Sequence, residues 1–280
     1  MYNFLGCAGL TSISIPASVT SIGGDSFGLC TGLTGIAVEE GNPVYHSAGN
    51  CLIKTKQKLL LAGCQNSIIP DDGSVTAIAD YAFHGCTGLT NITIPAGATH
   101  IGYKTFYGCT GLASITIPAG VTNIGIETFC SCDNLAAIIV EDGNPVYHST
   151  GNCLIDTEKK ALLVGCKNSI IPNDGSVTSI GLHAFYCCTG LTSITIPAGV
   201  TSIGGGAFEN CTGLTSITIP ASVTNIEGGI AFSGCTKLKT IVYQGTVAQW
   251  HAIEKGPTWA QRTGDFTVAC TDGILTKEQS

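Results

Sequence analysis

Charge is scarce in this 280-residue chain, and arginine is almost absent. Only 11% of the residues are charged, against about 25% in an average soluble protein, and Arg262 is the single arginine. Lys and Arg together number 12 against 19 Asp and Glu, which gives a formal net charge of −7. Because nucleic acids are bound through clustered basic side chains, this balance excludes a nucleic-acid-binding protein.

Long apolar runs are missing as well. The longest ones, such as Leu59–Ala62, are far shorter than the ~20 residues that a bilayer-spanning helix requires, so we predict no membrane span. The first residues, Met1-Tyr2-Asn3-Phe4, lack the basic and apolar segments of a signal peptide. They align with the end of a repeat, so we expect the chain to begin in mid-coil, as a truncation or a fragment of a longer protein.

Cysteine is abundant by contrast, and its spacing reveals a repeat. The chain has 15 cysteines, and Cys86, Cys109 and Cys132 follow one another at intervals of 23 residues. Two longer steps of 56 residues, Cys30 to Cys86 and Cys132 to Cys188, complete a super-period of 102 residues. Periods of 20 to 50 residues indicate a solenoid or a related repeat array.

Apolar residues recur at the same distances from each repeat cysteine. Ile194 and Ile196 alternate with Thr195 and are followed by Pro197, a pattern typical of a short strand with one buried face. Phe208 and seven of the other phenylalanines lie three residues before a repeat cysteine. We therefore predict a mainly β, right-handed solenoid of about ten parallel coils with a buried phenylalanine column. The main-sheet strands are expected near residues 14, 37, 69, 93, 116, 139, 171, 195, 218 and 242.

Two inserts interrupt the coils, at about residues 39–68 and 141–170. The motif of residues 41–47, Gly-Asn-Pro-Val-Tyr-His-Ser, recurs 102 residues later at 143–149. In the first insert, the apolar runs 50–53 and 59–62 flank a polar turn. We predict a β-hairpin in each insert.

The end of the chain differs from the repeats. We predict a solenoid domain of residues 1–243 followed by a capping segment of residues 244–280. Thr246 and Gln249 have the spacing of a capping box, which predicts one short helix of about ten residues. Trp250 and Trp259 lie outside the repeats and are expected to cover the core of the last coil.

The repeat resembles a known family. Residues 109–129 read Cys-x-x-Leu-x-x-Ile-x-Ile-Pro-x-x-Val-x-x-Ile-Gly-x-x-x-Phe, which is similar to the BspA-like (Treponema-type) leucine-rich repeat. The hairpin inserts and the tail from Tyr243 resemble units of that family too. The resemblance implies a leucine-rich-repeat solenoid that is extracellular or displayed on a bacterial cell surface. It also implies adhesion to a host matrix protein or to another cell-surface protein, and it assigns no residue to that role.

The cysteines predict a buried ladder of thiols. Equivalent Cβ atoms in neighbouring coils lie about 4.8 Å apart, beyond the ~3.8 Å that a disulfide prefers, and buried cysteine packs as a small apolar residue. The pairs Cys51/Cys64 and Cys153/Cys166 flank the hairpins. For each of these two pairs, the sequence allows either free thiols or a disulfide. No cysteine or histidine has zinc-site spacing, and no catalytic constellation or phosphate-binding loop is present. We therefore predict no metal, no cofactor and no catalytic residue.

Polar residues recur at the same places in both inserts. His46 and His148 are equivalent, and we expect each to make a hydrogen bond that holds its loop. The other histidines are expected on the surface. Carboxylates at residues 39–40 and 71–72 fit either a calcium site or ordinary turn chemistry.

Two surfaces are candidates for binding a partner. The outward strand positions form a nearly uncharged, hydroxyl-rich face that includes Ser114, Thr116, Ser193, Thr195, Ser216 and Thr218. The insert tips contain much of the positive charge, at Lys54, Lys56, Lys58, Lys159 and Lys160. We predict a monomeric, non-catalytic protein-binding or adhesion module. The alternative function is a purely structural spacer that presents another domain. The hydroxyl side chains would then only favour strand formation, and the lysines would only protect the hairpin edges from aggregation.

Overall fold

Stacked parallel coils make up this protein, as the 23-residue period predicts. The computed structural model describes residues 4–280 and divides into two compact units, residues 4–135 with 140–145 and residues 136–139 with 146–280. Strands dominate both units, and the coils pair in parallel. The predicted mainly β solenoid is therefore confirmed. Residues 1–3, where we expected the chain to begin in mid-coil, lie outside the described part.

The first unit contains nine short strands among its described residues, divided between the main sheet, the insert and the second sheet. The strands are β1 (Ser12–Ile15), β2 (Gly35–Val38), β3 (Tyr45–Ala48), β4 (Cys51–Lys54), β5 (Leu59–Ala62), β6 (Ala77–Ile78), β7 (His100–Ile101), β8 (Ser114–Ile117) and β9 (Asn123–Ile124). On the main sheet, β1 pairs in parallel with β2. On the second sheet, β5, β6, β7 and β9 pair in parallel, in that order.

The second unit repeats this pattern and ends in the capping segment. Its elements are β10 (Ala137–Val140), β11 (Tyr147–Thr150), β12 (Cys153–Asp156), β13 (Ala161–Val164), β14 (Ser179–Ile180), β15 (Ser193–Thr195), β16 (Ser202–Ile203), β17 (Ser216–Ile219), β18 (Asn225–Ile226), β19 (Thr240–Tyr243), α1 (Val247–Ala252), β20 (Glu254–Lys255), β21 (Thr267–Ala269) and β22 (Ile274–Thr276). The main sheet runs β15, β17, β19, β21 in parallel, with β22 antiparallel at its edge. The second sheet runs β13, β14, β16, β18, β20 in parallel.

The inserts form the predicted hairpins and add one strand to each. In the first unit, β4 and β5 pair in an antiparallel manner around a 3-10 turn at Thr55–Gln57, and β3 pairs with β4. The third strand was not predicted, because His46 and Ser47 hide its apolar alternation. β5 then joins the second sheet through β6. The insert therefore extends the second sheet and is not a separate addition to the outside of a coil.

Phenylalanine rings form the predicted column within each unit. In the first unit, the rings of Phe83 and Phe106 stack with their centroids 5.2 Å apart. In the second, Phe185, Phe208 and Phe232 stack at 5.1 and 5.3 Å. All five of these side chains are fully buried. The recurrence of one large ring per coil therefore provides a continuous core, and burying each ring contributes stability in proportion to the apolar area removed from water.

Three main-sheet strands expected from the sequence are not present. Near residues 69, 93 and 171 the chain belongs to no strand. At the end of the first insert, the Ile68 amide donates a hydrogen bond to the Gly49 carbonyl (2.8 Å), and Ile170 does the same to Gly151 in the second. Beside residues 69 and 171 the backbone therefore bonds within the insert, and the side chains of Ile69 and Ile171 are buried.

The capping helix is shorter than predicted. α1 spans six residues, and its capping box is present: the Gln249 amide donates to the Thr246 hydroxyl, and the Thr246 amide donates to the Gln249 side chain. The helix stops because Glu254 and Lys255 pair with β18. Trp250 is fully buried, and Trp259 packs edge-on against Phe232 with their centroids 5.9 Å apart. Both tryptophans therefore cover the last coil, as expected.

Candidate functional site: two outer surfaces and a corner cluster

The outward positions of the main-sheet strands form the first candidate surface. In the second unit, the ladder places Ser193 beside Ser216 and Thr195 beside Thr218. Ser193 and Thr195 are exposed, and Ser216 and Thr218 are half-buried. The alternating isoleucines between them point into the core. We call these four side chains the hydroxyl face.

Two further candidates lie on a strand of the first unit. Ser114 and Thr116 are exposed on β8, where Ile115 and Ile117 are buried. None of the six candidate hydroxyls makes a hydrogen bond to another residue of the described chain 4–280. One position earlier in the coil, by contrast, the Thr215 hydroxyl donates to the Thr192 carbonyl (3.0 Å). The candidate hydroxyls are therefore available to a partner, whereas those of the neighbouring column are engaged in holding coils together.

The tips of the two inserts form the second candidate surface, and they differ in charge. In the first tip, Lys54 is half-buried and Lys56 and Lys58 are exposed. None of these three lysines takes part in an ion pair within the described part of the chain. Since the tip contains no carboxylate, residues 54–58 have a formal charge of +3.

The second tip is neutral. Asp156 occupies the place of Lys54 and is only 5% exposed. It accepts hydrogen bonds from the Lys159 amide and ammonium, both at 2.9 Å. Burial alone would raise the pKa of Asp156, but these bonds lower it overall. With Glu158 and Lys160 exposed, two carboxylates balance two lysines. Lys159 is thus already paired within the chain, unlike the lysines of the first tip.

The polar residues that recur in both inserts hold the loops in place. His46 Nδ1 lies 2.8 Å from the Thr55 hydroxyl, and His148 lies 2.9 Å from that of Thr157, so the expected hydrogen bonds are confirmed. The Asn42 amide donates to the carbonyls of Pro16 and Val19 in the preceding coil. These contacts make the repeated motif a structural clamp.

The carboxylates at the ends of the first insert accept backbone hydrogen bonds. Glu39 accepts from the Ala17 amide of the preceding coil, and Asp72 accepts from the Ser74 amide two residues on. Among residues 4–280, no group of three or more His, Cys, Asp or Glu side chains has the arrangement of a metal site. The Asp72 contact is turn chemistry, whereas the Glu39 contact joins neighbouring coils.

The cysteines are thiols, including Cys51 and Cys64. The ladder thiols donate to backbone carbonyls of the preceding coil: Cys109 to Phe83 (3.1 Å) and Cys211 to Phe185 (3.0 Å). Burial raises the pKa of Cys51 to about 12, so the nucleophilic thiolate is disfavoured. Two cysteines depart from the predicted buried ladder, because Cys7 is exposed and Cys188 is half-buried.

A cluster of aromatic and charged side chains in the first unit was not predicted from the sequence. It lies at the corner of the coils and comprises Asp25, Tyr81, His84, Tyr103, Lys104, Tyr107 and Glu127, which we call the corner cluster. All seven are half-buried. His84, expected as an isolated surface residue, instead lies 2.9 Å from a carboxylate oxygen of Asp25. A signal was available: the residue two positions before each repeat phenylalanine is Asp, Tyr, Lys and Glu in this unit.

Comparison with known proteins places the chain in a family of leucine-rich repeat proteins. The family model described as BspA type Leucine rich repeat region matches in six copies, over residues 1–52, 61–157 and 159–252. No curated protein matches the chain. Among residues 4–280, no helix has the length and apolar character needed to cross a membrane.

Solved structures of bacterial proteins are similar to it. A leucine-rich repeat protein from Eubacterium ventriosum is 26% identical, with a TM-score of 0.61 over 84% of this chain and 60% of that chain. A leucine rich cell surface protein from Faecalibacterium prausnitzii is 28% identical over 88% of this chain and 82% of that one, with a TM-score of 0.47. The pneumococcal vaccine antigen PcpA is 16% identical over 90% of this chain and 68% of that one, with a TM-score of 0.52, and shares the fold. The chain thus spans less than two thirds of the Eubacterium protein's length.

Proposed function

This chain belongs to the family of BspA-type leucine-rich repeat proteins, and we propose that it is a non-catalytic protein-binding module that acts outside the bacterial cell or on its surface. The hydroxyl face is the observation that carries the proposal. Its side chains lie in ladder register on a parallel sheet, uncharged and without hydrogen bonds to other described residues. Such a face suits many weak contacts with an extended protein partner better than a deep small-molecule site.

Lysine substitutions test the hydroxyl face. The chain would be assayed by surface plasmon resonance against immobilised fibronectin, laminin and collagen. In the Thr195→Lys/Thr218→Lys variant, we expect affinity for any matrix protein bound to fall about tenfold or more, because two charged side chains would lose hydration at the interface. The matched control is Thr201→Lys/Thr224→Lys, which adds the same charge at exposed positions beside the second sheet.

Two outcomes would count against this assignment. Equal losses in the two double variants would indicate a general charge effect rather than contact through the hydroxyl face. Failure of the unmodified chain to bind any of the matrix proteins would favour the spacer role, in which the coils only present another domain. Ser114→Lys/Thr116→Lys would then show whether the corresponding face of the first unit behaves in the same way.

The tip of the first insert is a second candidate contact, for an acidic partner. What favours it is the charge of +3 on residues 54–58 in a chain with few other charges, since such a patch dominates long-range attraction. Lys159 and Lys160 contribute less, because Asp156 and Glu158 offset them. Exchanging the tips tests this: Lys54→Asp/Lys56→Glu/Gln57→Lys gives the first insert the second tip's sequence. We expect slower association with an acidic partner at low salt and no change at high salt. An unchanged association rate would leave the lysines with the role of protecting the hairpin edge.

A further inference from the structure

The corner cluster contains its own charge partners. The Lys104 ammonium lies 3.1 Å from the Glu127 carboxylate, and 5.1 and 5.0 Å from the ring centroids of Tyr103 and Tyr107. Burial alone would lower the pKa of Lys104, but hydrogen bonds to Tyr103 and Glu127 raise it overall. The ammonium therefore stays charged and compensated within the chain, and the cluster offers no unpaired cation to an ionic ligand.

Its aromatic rings form a continuous patch. Tyr81 contacts Tyr103 edge-on at 5.4 Å, His84 contacts Tyr107 edge-on at 5.5 Å, and Tyr81 lies 5.6 Å from His84. These four rings are half-buried, so each has one side against the protein and another toward solvent. Phenol hydroxyls and an imidazole are distributed over this patch, together with the carboxylates of Asp25 and Glu127.

The backbone beneath these side chains is in an unfavourable conformation. Asp25, Tyr81, Lys104 and Glu127 all have positive φ, between 51° and 60°, a region that is unfavourable for a residue with a Cβ. At the same coil position in the second unit stand His183, with φ of 55°, and Gly206, with φ of 60°. The positive φ is therefore a property of this corner in both units.

The compensated charges and the aromatic patch indicate what the cluster suits chemically. A neutral polyhydroxylated molecule has apolar C–H faces that pack on aromatic rings and hydroxyls that need polar partners when desolvated. The corner cluster provides both, and binding sites for small organic molecules typically combine aromatic lining with a few polar groups. We propose that the corner cluster of the first unit binds a neutral oligosaccharide. This site is separate from the hydroxyl face, and the proposal does not depend on protein binding.

Calorimetric titration of the full chain tests the proposal. The probes are neutral hexasaccharides of glucose, N-acetylglucosamine, mannose and xylose. We expect saturable binding of at least one of them, and a rise in Kd of about tenfold or more in Tyr103→Ala/Tyr107→Ala, because two rings are lost from the patch. The matched control is Tyr186→Ala, which removes the phenol at the position of Tyr107 in the second unit. It should bind like the unmodified chain.

A gentler variant covers the case in which the double substitution fails to fold. Tyr103→Phe keeps the ring and its packing but removes the hydroxyl that bonds to Lys104, so we expect weaker binding by a chain that still folds, with a small fall in the thermal unfolding temperature. Saturable heat with none of the four hexasaccharides would overturn the proposal. Binding that survives the loss of both rings would also overturn it, as would an equal loss in Tyr186→Ala.

Discussion

The two inserts have the same internal packing and differ in the charge of their tips. In both, a buried serine hydroxyl accepts from a cysteine amide at 2.8 Å and donates to an asparagine carbonyl, through Ser67 in the first and Ser169 in the second. Both inserts also end with an exposed isoleucine, Ile68 or Ile170. These serine, cysteine and asparagine residues, 102 positions apart in the two inserts, therefore make the same hydrogen bonds.

The tips differ in sequence, because most of their side chains face solvent and packing does not restrict the residue type there. Position 54 is a half-buried lysine, and the equivalent position 156 is a buried aspartate bonded to Lys159. Both tips still close with a lysine at positive φ, Lys58 at 50° and Lys160 at 51°. Duplication has thus preserved what the backbone and the core require, and the surface charge has changed. The following predictions test how far the two inserts are equivalent.

Truncation of a core leucine should give the largest effect, equal in both inserts. Leu60 and Leu162 are fully buried, so Leu60→Ala and Leu162→Ala should each lower the free energy of unfolding by about 2–5 kcal/mol, through lost burial and the cavity left behind. Urea unfolding followed by circular dichroism measures this. The controls are Ile68→Ala and Ile170→Ala, which are 76% and 74% exposed and should change stability by about 0.5 kcal/mol or less. A loss in only one insert would show that the two cores are not equivalent.

Removal of the buried serine hydroxyl should have the next largest effect. Ser67→Ala and Ser169→Ala each leave a buried cysteine amide without its described partner and the asparagine carbonyl with only the weak thiol donor, which should cost about 1–3 kcal/mol. The exposed hydrogen bonds of His46 and His148 provide the comparison, since substituting either histidine by Ala should cost less. The same unfolding measurement applies. Equal losses for serine and histidine variants would contradict the importance assigned to burial.

Acid should distinguish the inserts. The lowered pKa of Asp156 means that its carboxylate stabilises the fold above the ordinary aspartate pKa of about 3.9, and that this contribution is lost as the pH falls through the folded-state value. Asp156→Asn should therefore be less stable than the unmodified chain at pH 7, and the difference should shrink toward pH 3. For Lys54→Asn, any difference should stay constant over that range. Urea midpoints at each pH measure both, and a constant difference for Asp156→Asn would contradict the assignment.

Exposed tip charges should matter least for stability. Lys56 and Glu158 occupy equivalent, exposed positions, and substituting either by Ala should shift stability by about 0.5 kcal/mol or less. Thermal unfolding at low salt is the most sensitive measurement, because screening is weakest there. A loss above about 1 kcal/mol in either variant would reveal a contact of the tip that the charge comparison does not include.

The 23-residue period predicted most of the structure of each coil, because equivalent residues have the same spacing in every coil. A 23-residue step places Ser193 beside Ser216 and Ile194 beside Ile217, and the ladder has this register. The phenylalanine column follows from the same rule, and so do the hydroxyl face and the thiol ladder. The capping box of α1 was predicted because two residues with fixed spacing define it locally.

Departures from the period were harder to predict. The strand β3 was missed because its alternation is weak, and Leu59–Ala62 was placed in a hairpin without its parallel neighbour Ala77–Ile78. The length of α1 depends on the pairing of Glu254 and Lys255 with β18, a contact between residues nearly thirty positions apart. The seven members of the corner cluster vary in type from coil to coil, so the apolar period does not mark them, although four of them share the position two residues before a repeat phenylalanine.

The sequence by itself therefore determined the solenoid, the stacking register, the buried and outward positions and the two inserts. These features depend on local alternation and on a period that repeats the same contact in every coil. Only the tertiary structure decided that the inserts extend the second sheet, that Asp156 neutralises Lys159, and that Asp25 meets His84 and Lys104 meets Glu127. None of these contacts recurs in every coil, so none leaves a signal at the 23-residue period. Asp25 with His84 and Lys104 with Glu127 are, in addition, pairs that only the stacking of the coils brings together.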